Sequence, residues 1–216
     1  MARLKVGVLI SGRGSNLLAL MAACAEADYP AEIVLVISNR PAAAGLEHAR
    51  AAGLPVATID HEAFDDRESF DAALTAALEA AGVELVCLAG FMRLLTEGFV
   101  GHWRDRMINI HPALLPSFPG LDTHERALEA GVKLHGCTVH YVRHEMDTGP
   151  IVGQAAVPVL ADDDADDLAA RVLEAEHRLY PACLRLVAEG RVGIDGETAQ
   201  LEDAEPSGPG LANPGH

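Results

Sequence analysis

Basic residues are few in this chain of 216 residues. Sixteen lysines and arginines stand against 32 aspartates and glutamates, a formal charge of −16 at pH 7. Nucleic-acid and membrane-surface roles need clustered positive charge, so neither is expected. Small anionic substrates stay open, provided that a helix N-terminus or a well-placed arginine supplies local donors. Cysteine is sparse too. Cys24, Cys87, Cys137 and Cys183 form no CxxC pair, and Cys87 sits in an apolar run that reads as buried. That pattern points to a reduced, cytoplasmic setting without metal or disulfide chemistry. Long apolar runs are missing, none approaching the ~18–20 residues of a membrane span. The stretch Val6–Ile10 is short, breaks at Gly12-Arg13-Gly14 and lacks the small-residue cleavage pattern of a signal peptide. No internal repeat occurs.

Half of the residues are hydrophobic, enough for one domain with a sizeable core. Short apolar runs predict buried strands at Leu4–Ile10, Glu32–Ser38, Pro55–Ile59, Val83–Ala89 and Met107–Ile110. Helical spacing predicts helices from Asn16 to about Ala27, over Ala42–Ala52 and over Glu68–Ala81; Gly53 and Gly82 serve as stops for the last two. Such strand–helix alternation means an α/β fold, an open and mostly parallel twisted sheet with helices on both faces. Ligands then sit at the carboxyl ends of the strands. Beyond residue 131 the pattern changes. Gly136–Val142 alternates polar and apolar residues, and Ile151–Val159 is a second extended run, an antiparallel pair in which Pro158 marks an end or an edge. Asp162–Asp167 opens a long helix with Leu168, Val172, Ala175 and Leu179 on one stripe, which Pro181 should kink or break. Residues 196–216, rich in Pro, Gly and acid, read as a poorly ordered tail.

Ser11-Gly12-Arg13-Gly14-Ser15-Asn16 follows the first strand and opens the first helix, where amide groups and the helix dipole can hold a phosphate. A plain strand-to-helix turn capped by serine is the alternative. The dinucleotide fingerprint wants a third glycine where Leu17 stands. The Gly-Lys-Ser/Thr of triphosphate loops is missing, and the GxSxG elbow of hydrolases fails at Leu9. A single phosphate, as on a sugar phosphate, fits best. A nicotinamide enzyme survives through Arg40, placed to meet an extra ribose phosphate.

Asn109-Ile110-His111-Pro112 closes a strand, and period two puts Asn109 and His111 on one side of it. An amide can stabilise an oxyanion and an imidazole can pass a proton, the needs of attack on a carbonyl. Asp147, in the loop Glu145–Pro150, would favour a cationic His111 if the two meet. Each of the three also has a plain reading, as turn amide, packed ring and turn acid. Six histidines fall between 102 and 144, yet His140 and His144 are not on a helix and no HExxH occurs, so no metal is expected.

Four segments in order carry a resemblance: Ser11–Asn16, Ala89-Gly90-Phe91-Met92-Arg93-Leu94-Leu95, Ile108–Pro116 and Asp147-Thr148-Gly149-Pro150-Ile151. With Glu176-His177-Arg178-Leu179-Tyr180-Pro181 they make the chain resemble the phosphoribosylglycinamide formyltransferases, a family of folate-dependent formyltransferases, over about residues 3–195. The resemblance implies a Rossmann-like formyltransferase domain over 1–195 and, as co-substrate, 10-formyltetrahydrofolate without a metal. It implies Asn109, His111 and Asp147 as catalytic residues. Gly14, Ser15 and Asn16 would hold the ribose phosphate, and Glu176 the glycinamide end beside Leu173, where some members carry a polar residue. Met92, Arg93, Leu94 and Leu95 would wall the folate pocket with Asn109. Arg143, His144, Glu145, Met146 and Asp147 would form the loop over the pterin, and Arg67 would meet the glutamate tail.

The implied reaction is direct transfer of a formyl group to the amine of phosphoribosylglycinamide, in purine synthesis, by a monomer or homodimer acting on small molecules. The nearest rival is formyltetrahydrofolate deformylase, which normally has an N-terminal regulatory domain; a first strand at residue 4 leaves no room for one. Methionyl-tRNA formyltransferase would want a basic C-terminal domain, where this chain is acidic and short. A non-catalytic sugar-phosphate-binding protein is the third rival.

Overall fold

Seven strands form one sheet in the order β3-β2-β1-β4-β5-β6-β7 in the computed structural model, which describes residues 2–202. Five are β1 (Leu4–Ile10), β2 (Ala31–Ser38), β3 (Val56–Thr58), β4 (Leu85–Leu88) and β5 (Met107–His111). Strand β1 pairs in parallel with β2 and β4, β2 with β3, and β4 with β5. The other two, β6 (Leu134–Tyr141) and β7 (Ile151–Pro158), pair antiparallel. The α/β expectation, mostly parallel with antiparallel strands toward the C-terminus, is what the fold contains. Burial explains the sequence patterns. Val6 to Ile10 of the central β1 are buried without a break, giving a continuous apolar run. Strand β7 stands last in the order and alternates buried with more open positions, ending at Pro158.

The chain divides into two compact units. One comprises Met1–Asn109 with Tyr141–His144, the other Ile110–His140 with the residues from Glu145 on. In the first unit the helices are α1 (Ser15–Cys24), α2 (Ala44–Ala51), α3 (Arg67–Ala80) and α4 (Glu97–His102). Its core gathers Leu9, Leu35, Ile37, Phe70, Leu74, Leu78, Val86, Trp103 and Met107. Aspartate and threonine caps start two of these helices: Asp66 accepts from the Ser69 amide and Thr96 from the Phe99 amide. The order of strands reverses between β1 and β4, so the carboxyl ends of these two strands flank the crevice where open α/β sheets take ligands.

In the second unit α5 (Thr123–Glu129) precedes β6, and α6 (Ala165–Ala188) follows β7. A capping box between Asp164 and Asp167 starts α6. The helix runs through Pro181, against the expectation of a break. Leu168, Val172, Ala175, Tyr180, Cys183 and Leu184 are buried on both sides of the proline, and that burial outweighs one missing N–H. Gly153 of β7 lets α6 approach, since a β-carbon there would meet Cys183 Sγ at 2.6 Å. All four cysteines are free and buried, Cys87 among them.

The tail expected from residue 196 meets a strand. Val192–Asp195 (β8) pairs antiparallel with Thr198–Leu201 (β9) across Gly196. The remainder of that expected tail, 203–216, lies outside the described residues. Among the described residues no helix is long and apolar enough to cross a membrane.

Candidate active site

In the first unit, β1 passes into α1 through Gly14, which caps the helix with a left-handed backbone (φ 78, ψ 29) and no side-chain bond. A β-carbon on Gly14 would stand 2.7 Å from Cα of Gly45, whose own amide donates to the Gly12 carbonyl at 3.0 Å. Two glycines in contact thus bring the start of α2 against the turn. Helical bonding starts at the cap, where the Leu18 amide donates to the Gly14 carbonyl. The first turn of α1 has no acidic residue, whereas α2 to α6 each have at least one there. In so acidic a chain this keeps one helix N-terminus attractive to an anion. Ser15 is partly exposed and Asn16 is buried.

The segment after β4 begins at Gly90, again left-handed (φ 74). Phe91 and Leu95 pack on the core cluster, while Met92 is 63% and Leu94 53% exposed. Two of its apolar residues thus stand open to solvent while their neighbours are packed. Arg93 lies over the Phe70 ring, 5.0 Å from its centre. Arg67, the first residue of α3, is exposed. Arg143 donates to Asp105 at 2.8 Å and to the Val142 carbonyl, with its side chain 8% exposed, so its guanidinium holds the loop and leaves little for a ligand. His144 is exposed. Asn109 is partly buried on β5, sharing a strand face with His111.

In the second unit, His111 is 5% exposed at the end of β5. Its Nε2 is 3.0 Å from the Phe118 carbonyl, and its Nδ1 is 3.5 Å from Oδ2 of Asp147. A carbonyl accepts only, so Nε2 carries a proton, and a second proton on Nδ1 would face a carboxylate. Asp147 also accepts from the Gly120 amide at 2.8 Å, and its Oδ1 is 3.8 Å from Nε2 of His140. Asp147 itself is left-handed (φ 56). Histidine and aspartate, 36 positions apart in the chain, thus lie side by side, a meeting that the sequence alone left open.

The loop after His111 is held by side chains that the sequence reading passed over. Thr138, fully buried on β6, donates to the Ala113 carbonyl at 2.7 Å and accepts from the Leu115 amide at 3.0 Å. Gln154 donates to Thr138 and to the Leu115 carbonyl. Thr123 donates to the Pro112 carbonyl, and Arg126 to the carbonyls of Pro119 and Leu121. The alternation of β6 was legible, but its polar residues His135, Thr138 and His140 are buried: Thr138 bonds the loop, His140 stands near Asp147, and none of them turns to solvent. The His135 ring lies edge-on to Phe118 and His124, and burial, reinforced by His124, pushes its pKa down to about 4.

Glu176 is 5% exposed on α6, so it is not an ordinary solvated helical acid. Burial, then the Glu176 carboxylate, push the Cys137 thiol up to about 12. Leu173 is partly buried, and Glu145 and Met146 are exposed.

The profile of the formyl transferase family matches residues 4–184. The chain is 45% identical over 199 residues to phosphoribosylglycinamide formyltransferase of Escherichia coli strain K12, covering 92% of this chain and 94% of that protein. It is 51% identical to the trifunctional purine biosynthetic protein adenosine-3 of Drosophila melanogaster over 91% of its own length, but spans only 15% of that longer protein. The crystal structure of glycinamide ribonucleotide transformylase 1 from Symbiobacterium toebii superposes with a TM-score of 0.91 at 50% identity, over 93% of this chain and 95% of that one. This chain therefore belongs to the formyl transferase family and, within it, to the phosphoribosylglycinamide formyltransferases.

Proposed function

We propose that the chain transfers the formyl group of 10-formyltetrahydrofolate to the amine of phosphoribosylglycinamide, releasing tetrahydrofolate and formylglycinamide ribonucleotide in purine synthesis. The observation that carries this reading is His111 held between the Phe118 carbonyl and the Asp147 carboxylate, in a chain matched over most of its length by a formyltransferase of that name.

The neutral amine attacks the formyl carbon and the carbonyl oxygen becomes an oxyanion. Asn109 donates its amide to that oxygen, and His111 stabilises the same charge. Asp147 pairs with the ring at Nδ1 or holds a water that shuttles the proton which the attacking nitrogen must lose. The bond from carbon to N10 of the folate then breaks, and N10 takes a proton. Gly14, Ser15 and Asn16 hold the ribose phosphate at the carboxylate-free start of α1. Glu176 binds the glycinamide end near Leu173. Exposed Met92 and Leu94 suit the flat apolar face of a pterin, with Arg93 and Leu95 behind them. The loop Arg143–Asp147 covers the ring through its backbone, and Arg67 meets the glutamate tail. No metal enters the reaction. Four buried free thiols suit a cytoplasmic enzyme, and we take it to act as a monomer or homodimer.

The test is an absorbance assay of 10-formyltetrahydrofolate with and without phosphoribosylglycinamide. Folate product that needs the amine, with equal formylated ribonucleotide, supports transfer. Product without the amine would make the chain a deformylase, and no product in either would favour a binding protein.

A further inference from the structure

We infer that Ser11 is a positioning residue that ties the ribose-phosphate turn to the folate wall, so that one side chain sets the places of both substrates. The inference rests on the substrate roles proposed above for Gly14–Asn16 and Met92–Leu95. Ser11 lies between the last residue of β1 and the glycine turn, 5% exposed. Its amide donates to the Gly90 carbonyl at 3.1 Å, and its hydroxyl accepts from the Met92 amide at 2.8 Å. The same hydroxyl donates to Asn39 Oδ1 at 2.6 Å. A hydroxyl has one proton, so the Asn39 acceptor directs that proton away and leaves a lone pair facing the Met92 N–H. Asn39, 1% exposed just past β2, is fixed in turn by His61 Nδ1, which is 2.9 Å from its carbonyl.

Three strand ends are thereby joined at the point where the strand order reverses. Ser11 stands three residues before the helix cap Gly14 on one side and clamps Gly90 and Met92 on the other. Local chemistry does not require the link, since the backbone of the turn and that of the wall could each close on itself. Its effect is to hold the wall at a set height beside the phosphate turn. A serine at this position reads, in sequence, as part of the glycine-rich turn, yet it touches neither the helix amides nor the acids of the reaction among the bonds described.

Ser11→Ala tests the clamp. It leaves the Met92 amide and Asn39 Oδ1 without their partner, a loss of about tenfold in whatever the bonds support. We expect KM for the formyl folate and for the ribonucleotide each to rise by about tenfold while kcat stays within about threefold. Ser11→Thr keeps the hydroxyl and should restore most of both KM values. Unchanged KM values, or a fall in kcat alone, would overturn the inference. Should Ser11→Ala fail to fold, Asn39→Ala removes the acceptor that orients the hydroxyl, along with the Nδ2 contact to His61, and should raise the folate KM by about threefold; an unaltered folate KM there would count against the clamp. Hydrogen exchange of the Met92 amide separates the inference from the proposed function. It should quicken at least about tenfold in Ser11→Ala with the Val8 amide unchanged. Faster exchange in a protein whose wild type transfers no formyl group would leave the clamp standing and remove the function; unchanged exchange would remove the clamp whatever the activity.

Discussion

The carboxylate of Asp147 stands 3.5 Å from Nδ1 of His111, on a residue with a left-handed backbone whose Oδ2 also takes the Gly120 amide. Asparagine tolerates that backbone and can still accept from Gly120, so Asp147→Asn isolates the charge. We expect kcat to fall by at least about 10²-fold with the melting temperature nearly unchanged. Asn109→Ala and His111→Ala should likewise fold and lose at least ~10²-fold in rate, the usual effect of removing an oxyanion donor. Near-normal turnover in both variants would refute their assigned roles.

The loop behind His111 hangs on Thr138. Thr138→Val keeps the shape but leaves the Leu115 amide, the Ala113 carbonyl and the Gln154 amide without that partner. A buried loss of this kind costs about 1–3 kcal/mol. Urea unfolding should show it, and kcat should fall with it as the loop loosens. An unaltered midpoint would mean that water replaces the hydroxyl and that the loop is held elsewhere.

Gly45 has no role in the chemistry proposed, yet a β-carbon there would meet Ile10 Cδ1 at 2.6 Å and Gly14 Cα at 3.1 Å. The isoleucine tip can turn aside; the Gly14 backbone has to move. Gly45→Ala should therefore raise KM for the ribonucleotide several times over, roughly the effect of 1 kcal/mol, and leave kcat near the wild-type value. A changed kcat with constant KM would place the turn outside the phosphate site.

His135 gives the fold a pH dependence whose sign is set by its lowered pKa. The ring titrates at about 4 in the folded chain and at 6.5 as a free side chain. Between these values the unfolded chain binds the extra proton, so stability falls as pH drops from 6.5 toward 4. The cost is at most about 3 kcal/mol. His124, lowered first by burial and opposed by Glu125, adds in the same direction, and His111 also faces both rings. Denaturant unfolding across this range should show a flatter decline in His135→Leu than in the wild type. Equal slopes would assign the acid sensitivity to other groups.

Much of the parallel half was legible in advance. An unbroken apolar run such as Val6–Ile10 has one home, the middle of a covered sheet, and the strand expected around it, Leu4–Ile10, coincides with β1. The short helices α4 and α5 and the strands β8 and β9 were missed, because elements of six, seven and four residues carry too little periodicity to announce themselves. Pro181 misled for a different reason. Its local cost is real, but it is set against six buried side chains along α6 that no local rule counts.

The candidate site divides the same way. Gly14, Asn109 and His111 could be singled out because the first opens the helix after a strand and the others close a strand, places that alternation and glycine spacing locate in one dimension. Thr138, Gln154 and Arg126 could not, since a hydroxyl, an amide and a guanidinium on ordinary strands and helices have no mark of their partners. The sequence by itself determined the class of fold, the strand ends that carry polar chemistry and the family resemblance, because these are matters of order and period along the chain. Only the tertiary structure decided that Asp147 faces His111, that Glu176 is buried and that Ser11 bonds to Met92. Those are contacts between residues far apart in sequence, fixed by how sheet and helices close over one another.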